Sequence, residues 1–114
     1  MIDVKIVHFS EVEAEEAYGP NVRVRWLISK FDGAPTFEMR YFEVDPGAST
    51  PYHSHDWEHE VFILEGRGIV KYEETEHEFG PGYAIFIPPN KRHCFINTGE
   101  TPLKFICLIP KRKD

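Results

Sequence analysis

The chain is a series of short runs that alternate apolar and polar side chains, each closed by proline or glycine. That punctuation leaves little room for anything but β-structure. "VRVRWLIS" (22–29) puts Val22, Val24, Trp26 and Ile28 on one face, with Arg23 and Arg25 on the other. "TFEMRYFEV" (36–44) sets Phe37, Met39 and Tyr41 against Glu38 and Arg40. A period of two is what a strand with one buried face requires. "DPG" (45–47) follows as a turn. Further strands are predicted at 60–66, 68–74, 83–89, 93–98 and 103–110, with turns at Gly66, "GPG" (80–82), "PPN" (88–90) and "TGETP" (98–102). Many short strands with close turns predict an all-β sandwich or barrel. One stretch, "SEVEAEEAYG" (10–19), has the Ser10–Glu13 spacing of a capping box and reads equally as a short helix or an acidic loop.

The totals agree with one folded domain over residues 1–114, 41% hydrophobic and 14% aromatic. A net charge of -6 argues against nucleic-acid phosphates and anionic membrane surfaces as partners, and the tail "KRKD" (111–114) is too short to reverse it. No apolar run is long enough to span a bilayer, and the start lacks the features of a signal peptide. A cytoplasmic protein is expected, with Cys94 and Cys107 reduced. The runs "VFIL", "AIFI" and "FICLI" are apolar on both faces, so part of the outer surface should be covered. A twofold homodimer is the simplest cover, and the N-terminal segment folding back is the alternative.

Onto this pattern the chain places "HSHDWEHE" (53–60), three imidazoles and three carboxylates in eight positions, with half of its six histidines. His53 and His55, two apart, share a face of an extended segment and can chelate. After a turn at Asp56 and Trp57, His59 opens the next strand, where Val61 and Ile63 continue its face inward. His93, on the face of Phe95 and Asn97, can close the set. Neutral imidazoles suit Fe(II), Mn(II), Ni, Cu or Zn and suit Ca or Mg poorly. An interior site would need acceptors for the other ring nitrogens, and Asp56, Glu58 and Glu60 are the nearby carboxylates.

These residues resemble the two motifs of the cupins. The first, G-x5-H-x-H-x3-E-x6-G, aligns with Gly47, His53, His55, His59 and Gly66, with His59 where the family usually has Glu. The second, G-x5-P-x-G-x2-H-x3-N, aligns with Gly82, Pro88, Asn90, His93 and Asn97, with Asn90 in place of Gly. Asparagine tolerates the left-handed backbone that a glycine would supply. The motifs span about 47–66 and 82–97. The resemblance implies a double-stranded β-helix, the cupin jelly-roll barrel. It also implies His53, His55, His59 and His93 as ligands of one divalent metal, with Mn or Fe foremost and Ni, Cu and Zn compatible. A histidine in place of glutamate would leave the metal its full charge.

Parity then assigns the pocket wall. Phe37, Met39, Tyr41, Ile85, Ile87, Phe105 and Cys107 should face in; Arg23, Arg25, Arg40 and Lys104 should face out; Cys94 should face away from the metal. Tyr41 and Cys107 are then the candidate catalytic side chains in a largely apolar pocket. Lacking an inward cation, the pocket argues against sugar phosphates and dicarboxylates. The expected function is a dioxygenase-type oxidoreductase acting on a small apolar or aromatic substrate. A non-catalytic metal-dependent binding or sensing module and a metal-assisted isomerase are the alternatives.

Overall fold

A computed structural model describes residues 3–113; Met1, Ile2 and Asp114, at the two ends of the expected domain, lie outside the described residues. The strands are β1 (Glu15–Glu16), β2 (Val22–Ile28), β3 (Phe37–Val44), β4 (His59–Glu65), β5 (Gly68–Tyr72), β6 (Thr75–Phe79), β7 (Ala84–Ile87), β8 (His93–Asn97) and β9 (Leu103–Pro110). They form two antiparallel sheets, ordered β1-β2-β3-β9-β4-β7 and β6-β5-β8. The sheets close on each other as the expected jelly-roll barrel. Aromatic rings bridge the layers: Phe95 of β8 lies 5.2 Å from Phe105 of β9, which stacks on Phe42 of β3 at 5.3 Å. Among the described residues no helix is long and apolar enough to cross a membrane.

Most predicted strands form close to their expected bounds, and β4, β7 and β9 bury the expected face. Val61, Ile63, Ile87, Phe105 and Cys107 are buried, and Ile85 packs against the core they form. Asn90 adopts φ +67, the left-handed conformation expected of it.

Three expectations need correction, and one open alternative, at 10–19, is resolved. The parity of β3 is inverted: Glu38, Arg40, Phe42 and Val44 face inward. Phe42 and Val44 belong to the deep core, and strict alternation carries Arg40 and Glu38 to the same side. Tyr41 is buried on the opposite face, under the Phe9 ring at 4.8 Å, while Phe37 is exposed and Met39 half-buried. At β2 a bulge between Trp26 and Ile28 breaks the shared face and leaves Ile28 exposed. The 10–19 stretch is no α-helix: a 3₁₀ turn over Phe9–Glu11 is capped by His8, with Glu11 closing the box, and β1 follows. Finally, "KYEE" does not run on to residue 74. Glu73 and Glu74 make a tight turn, with Glu73 at φ +51, into the unpredicted edge strand β6.

Candidate metal centre

Backbone pairing brings the histidines together. Residues 48–53 run antiparallel to β8, tied by Asn97 N–H to Ala48 O (3.0 Å) and Thr50 N–H to Phe95 O (3.0 Å). At the end of this pairing His53 and His93 exchange both backbone hydrogen bonds, at 3.1 and 2.9 Å. The carbonyl of His55 accepts from the N–H of Asn90 at 2.5 Å, so the left-handed turn at 90 pins the second histidine. His59 begins β4, and alternation sends its ring into the barrel with Val61 and Ile63.

The imidazoles of His53, His55 and His93 each offer a nitrogen within 4.8 Å of the others. His59 adjoins this trio, its ring centroid 4.9 Å from that of His93 and 5.2 Å from that of His55. Its Nε2 is buried and has no hydrogen-bond partner among the described residues. An orphaned polar nitrogen in such a place costs free energy unless something occupies it, and a cation facing the other imidazoles fits that need. Burial depresses the pKa of all four rings. For His55, at about 4, the charges of His53, His93 and Arg40 add to it; for His59, at about 3, those of Arg40 and His93 do. The rings are therefore neutral near pH 7, the state that has a lone pair to give. The cluster suggests a metal site of the transition-metal kind.

The atoms that orient the rings are not the expected carboxylates. Nδ1 of His93 donates to the Lys91 carbonyl at 2.9 Å, leaving its Nε2 as the acceptor. Nδ1 of His59 lies 3.3 Å from the Cys107 sulfur and 3.4 Å from Nη2 of Arg40. A proton on Nδ1 directed at sulfur leaves Nε2 free for a cation, whereas a bond accepted from Arg40 does not. Asp56 and Glu60 are exposed and Glu58 half-buried, with no hydrogen bond from any to a histidine ring among the described residues.

Of the two catalytic candidates, Cys107 lies against His59, whereas Tyr41 is on the far side of β3. The inward cation that sequence parity denied is present: Arg40 is 9% exposed and its charge reaches His53, His55 and His59. Two aromatic neighbours were also missed. Trp57 stacks flat on His55 at 4.3 Å, and Tyr18 meets His53 edge-on at 6.1 Å. Trp57 sits inside the histidine motif and was legible by adjacency; Tyr18 arrives from a distant loop and carried no signal.

The architecture and site define a small jelly-roll protein with an interior imidazole cluster. The cupin domain family matches residues 40–109, and the chain belongs to that family. Its structure is similar to that of the polyketide cyclase RemF from Streptomyces resistomycificus, at TM-score 0.89 and 37% identity, over 96% of this chain and 81% of that one. Among curated relatives, an uncharacterised protein of Methanocaldococcus jannaschii is 38% identical over 65 residues, 56% of this chain. The 1-methylthio-D-xylulose 5-phosphate methylsulfurylase of Rhodospirillum rubrum is 33% identical over 79 residues, 69% of this chain. The chain spans about half the length of these two relatives, 52% and 51%.

Proposed function

We propose that this chain is a metal-dependent enzyme in which His53, His55, His59 and His93 hold one divalent transition metal, manganese or iron foremost. In this reading it acts on a small oxygenated carbon skeleton in a reaction of the polyketide-cyclase kind. The observation that carries the reading is the likeness to the Streptomyces cyclase over nearly the whole chain. When bound, the metal would supply Lewis acidity toward a carbonyl oxygen. The chain's own residues bind and orient. The Lys91 carbonyl sets the His93 tautomer, Cys107 would take the Nδ1 proton of His59, and the half-exposed rings of Trp57 and Tyr18 border the histidines and offer apolar surface for carbon. No general base is assigned.

Dioxygenase chemistry is the second reading, favoured by the open positions that four imidazoles would leave on a six-coordinate metal, although the usual oxygenase shell includes a carboxylate. Without a carboxylate ligand the metal keeps its full charge, and open positions would serve an oxidoreductase as well as a cyclase. The test is metal analysis of protein purified without added metal, then incubation with short poly-β-ketone thioesters in air and under argon. Cyclised product in both atmospheres supports the cyclase. Product only in air, with oxygen consumed, supports the dioxygenase. Thermal stabilisation by a ligand without turnover marks a binding or sensing module, and turnover to an isomer of unchanged mass without ring formation marks an isomerase.

The proposal extends to a cytoplasmic homodimer. Two unbridged, buried cysteines support the compartment. The outer face of β4, β7 and β9 supports the dimer: Phe62 and Phe86 are exposed there, beside a groove also lined by Ala84, Ile106 and Leu108. The N-terminal segment covers a different part of the surface, at Tyr41.

A further inference from the structure

Arg40 is the interior feature that a metal site alone leaves unexplained. β3 turns it into the barrel, where the guanidinium lies 4.9 Å from the Phe42 ring and 5.6 Å from the Trp26 ring. Its Nη2 touches the Cys107 sulfur at 3.1 Å and His59 Nδ1 at 3.4 Å. Nε is buried with no partner, and Nη1 makes no hydrogen bond among the described residues. No carboxylate among the described residues pairs with it. Arg23 is held by Glu43 and Asp45, and Glu38 is taken by Arg112.

A buried guanidinium without an anion is costly, and a methionine of similar volume would fill the same space without that cost. A divalent cation among neutral imidazoles would add more positive charge within reach. Arginine's planar fork is suited to an oxyanion, and two of its nitrogens are free to donate. The Arg40 charge also extends to the hydroxyl of Tyr18 beside His53: burial raises the Tyr18 pKa, and Arg40 partly offsets this.

We propose that Arg40 is a substrate-binding residue that takes an anionic oxygen, from a carboxylate or an enolised 1,3-dicarbonyl, of a small molecule that also faces the histidine cluster. This rests on the reading of the four histidines as a metal site and narrows its substrate class. The expected apolar ligand becomes an anionic one, with apolar carbon against the exposed rings of Trp57 and Tyr18.

The test uses full-length protein loaded with zinc, and the probe pairs acetate/acetamide and benzoate/benzamide, in which only the acid is charged. Isothermal titration at fixed ionic strength compares wild type with Arg40→Met and Arg40→Lys, with metal content measured on each sample. The wild type is expected to prefer an acid over its amide by about 10–100-fold, the range of a charge-assisted hydrogen bond. Arg40→Met should lose most of that preference at unchanged metal content, and Arg40→Lys should keep part of it. Equal preference in wild type and Arg40→Met overturns the proposal, as does a wild type with no preference. Should the methionine variant fail to fold, the Arg40 Nε–H resonance of labelled wild type decides. It should shift with acetate and stay put with acetamide, and an unmoved resonance overturns the proposal. Failure of the metal reading appears separately, as wild-type protein that takes up no zinc.

Discussion

Arg40 and Cys107 are register partners across β3 and β9, and the thiol of one is the main hydrogen-bond acceptor for the guanidinium of the other, at 3.1 Å. The same sulfur is 3.3 Å from Nδ1 of His59, so one thiol holds a cation and a candidate ligand from two different strands.

Truncating that thiol should therefore loosen both. Cys107→Ala is expected to weaken metal binding about 10–100-fold, the usual effect of losing a group that orients a ligand. It should also destabilise the fold by about 1–3 kcal/mol, because Arg40 loses its acceptor. Cys107→Ser should recover part of both. Chelator-competition titrations and urea melts of the three proteins measure this; equal metal affinity in all three would mean that the sulfur does not orient His59.

Removing the rings themselves should have larger effects. His93→Ala and His59→Ala are each predicted to lower metal occupancy sharply in protein purified without added metal. The His59 variant is the more informative, because its Nε2 is the buried orphan and its position is where the motif usually carries Glu. Elemental analysis of both variants beside wild type measures this. Full occupancy after His59→Ala would confine the centre to His53, His55 and His93.

How far the sequence could be read follows from whether something besides alternation marked the inward face. In β4 and β9 only one face was continuous with the motif histidine or with the core, and the parity was right. In β3 both faces carried large apolar residues, so Glu38 and Arg40 served as outside markers. They are inside because each has a use there that no periodicity encodes: Glu38 binds Arg112, and Arg40 lies against Cys107 and His59. β6 went unseen for the opposite reason, since an exposed edge strand of charged residues looks like a loop. The metal motifs were legible because chelation needs fixed spacings. Tyr18 was not, because only the closed barrel brings it to His53.

Glu38 predicts an acid-side stability change. It is fully buried, which pushes its carboxyl upward. The two-point bond from Arg112 and the backbone N–H groups of Lys30 and Arg112 outweigh that and hold it at about 2, against an ordinary 4.5. Between those values the unfolded chain binds more protons than the folded one. The contribution is therefore present above about pH 4.5 and is lost as pH falls toward about 2. Glu38→Gln should cost about 2 kcal/mol near neutrality, a modest figure because Arg112 is partly hydrated. Urea midpoints of both proteins from neutrality down to acid check this: the gap should narrow on the acid side, and a pH-independent gap would rule out the carboxylate as its source.

Two glycines of the first motif should differ on substitution. Both have positive φ, Gly47 at 80 and Gly66 at 85. A methyl group at Gly47 meets nothing within 4 Å, whereas at Gly66 it would lie 2.7 Å from the Pro102 carbonyl oxygen and 2.9 Å from Leu103 Cα. Gly47→Ala should cost about 1 kcal/mol from backbone strain alone. Gly66→Ala should cost about 2–4 kcal/mol, since the β9 backbone must also move. Thermal melts of the two variants rank them, and equal costs would mean that the β4–β9 corner yields freely.

The last expectation concerns the face opposite the histidines. On β4 and β7, Phe62 and Phe86 are 49% and 60% exposed, and Phe62 pairs with Ala84 and Ile106. Two copies related by a twofold axis could bury this apolar surface against itself, removing both rings from water in each protomer. Placing a carboxylate in each ring position, Phe62→Glu with Phe86→Glu, would set like charges together at such an interface. It should leave the barrel intact, because neither ring reaches the core. Sedimentation velocity at micromolar concentration should then read a dimer for wild type and a monomer for the double variant, with unchanged circular dichroism. A monomeric wild type would remove the twofold contact and leave the patch simply solvent-exposed.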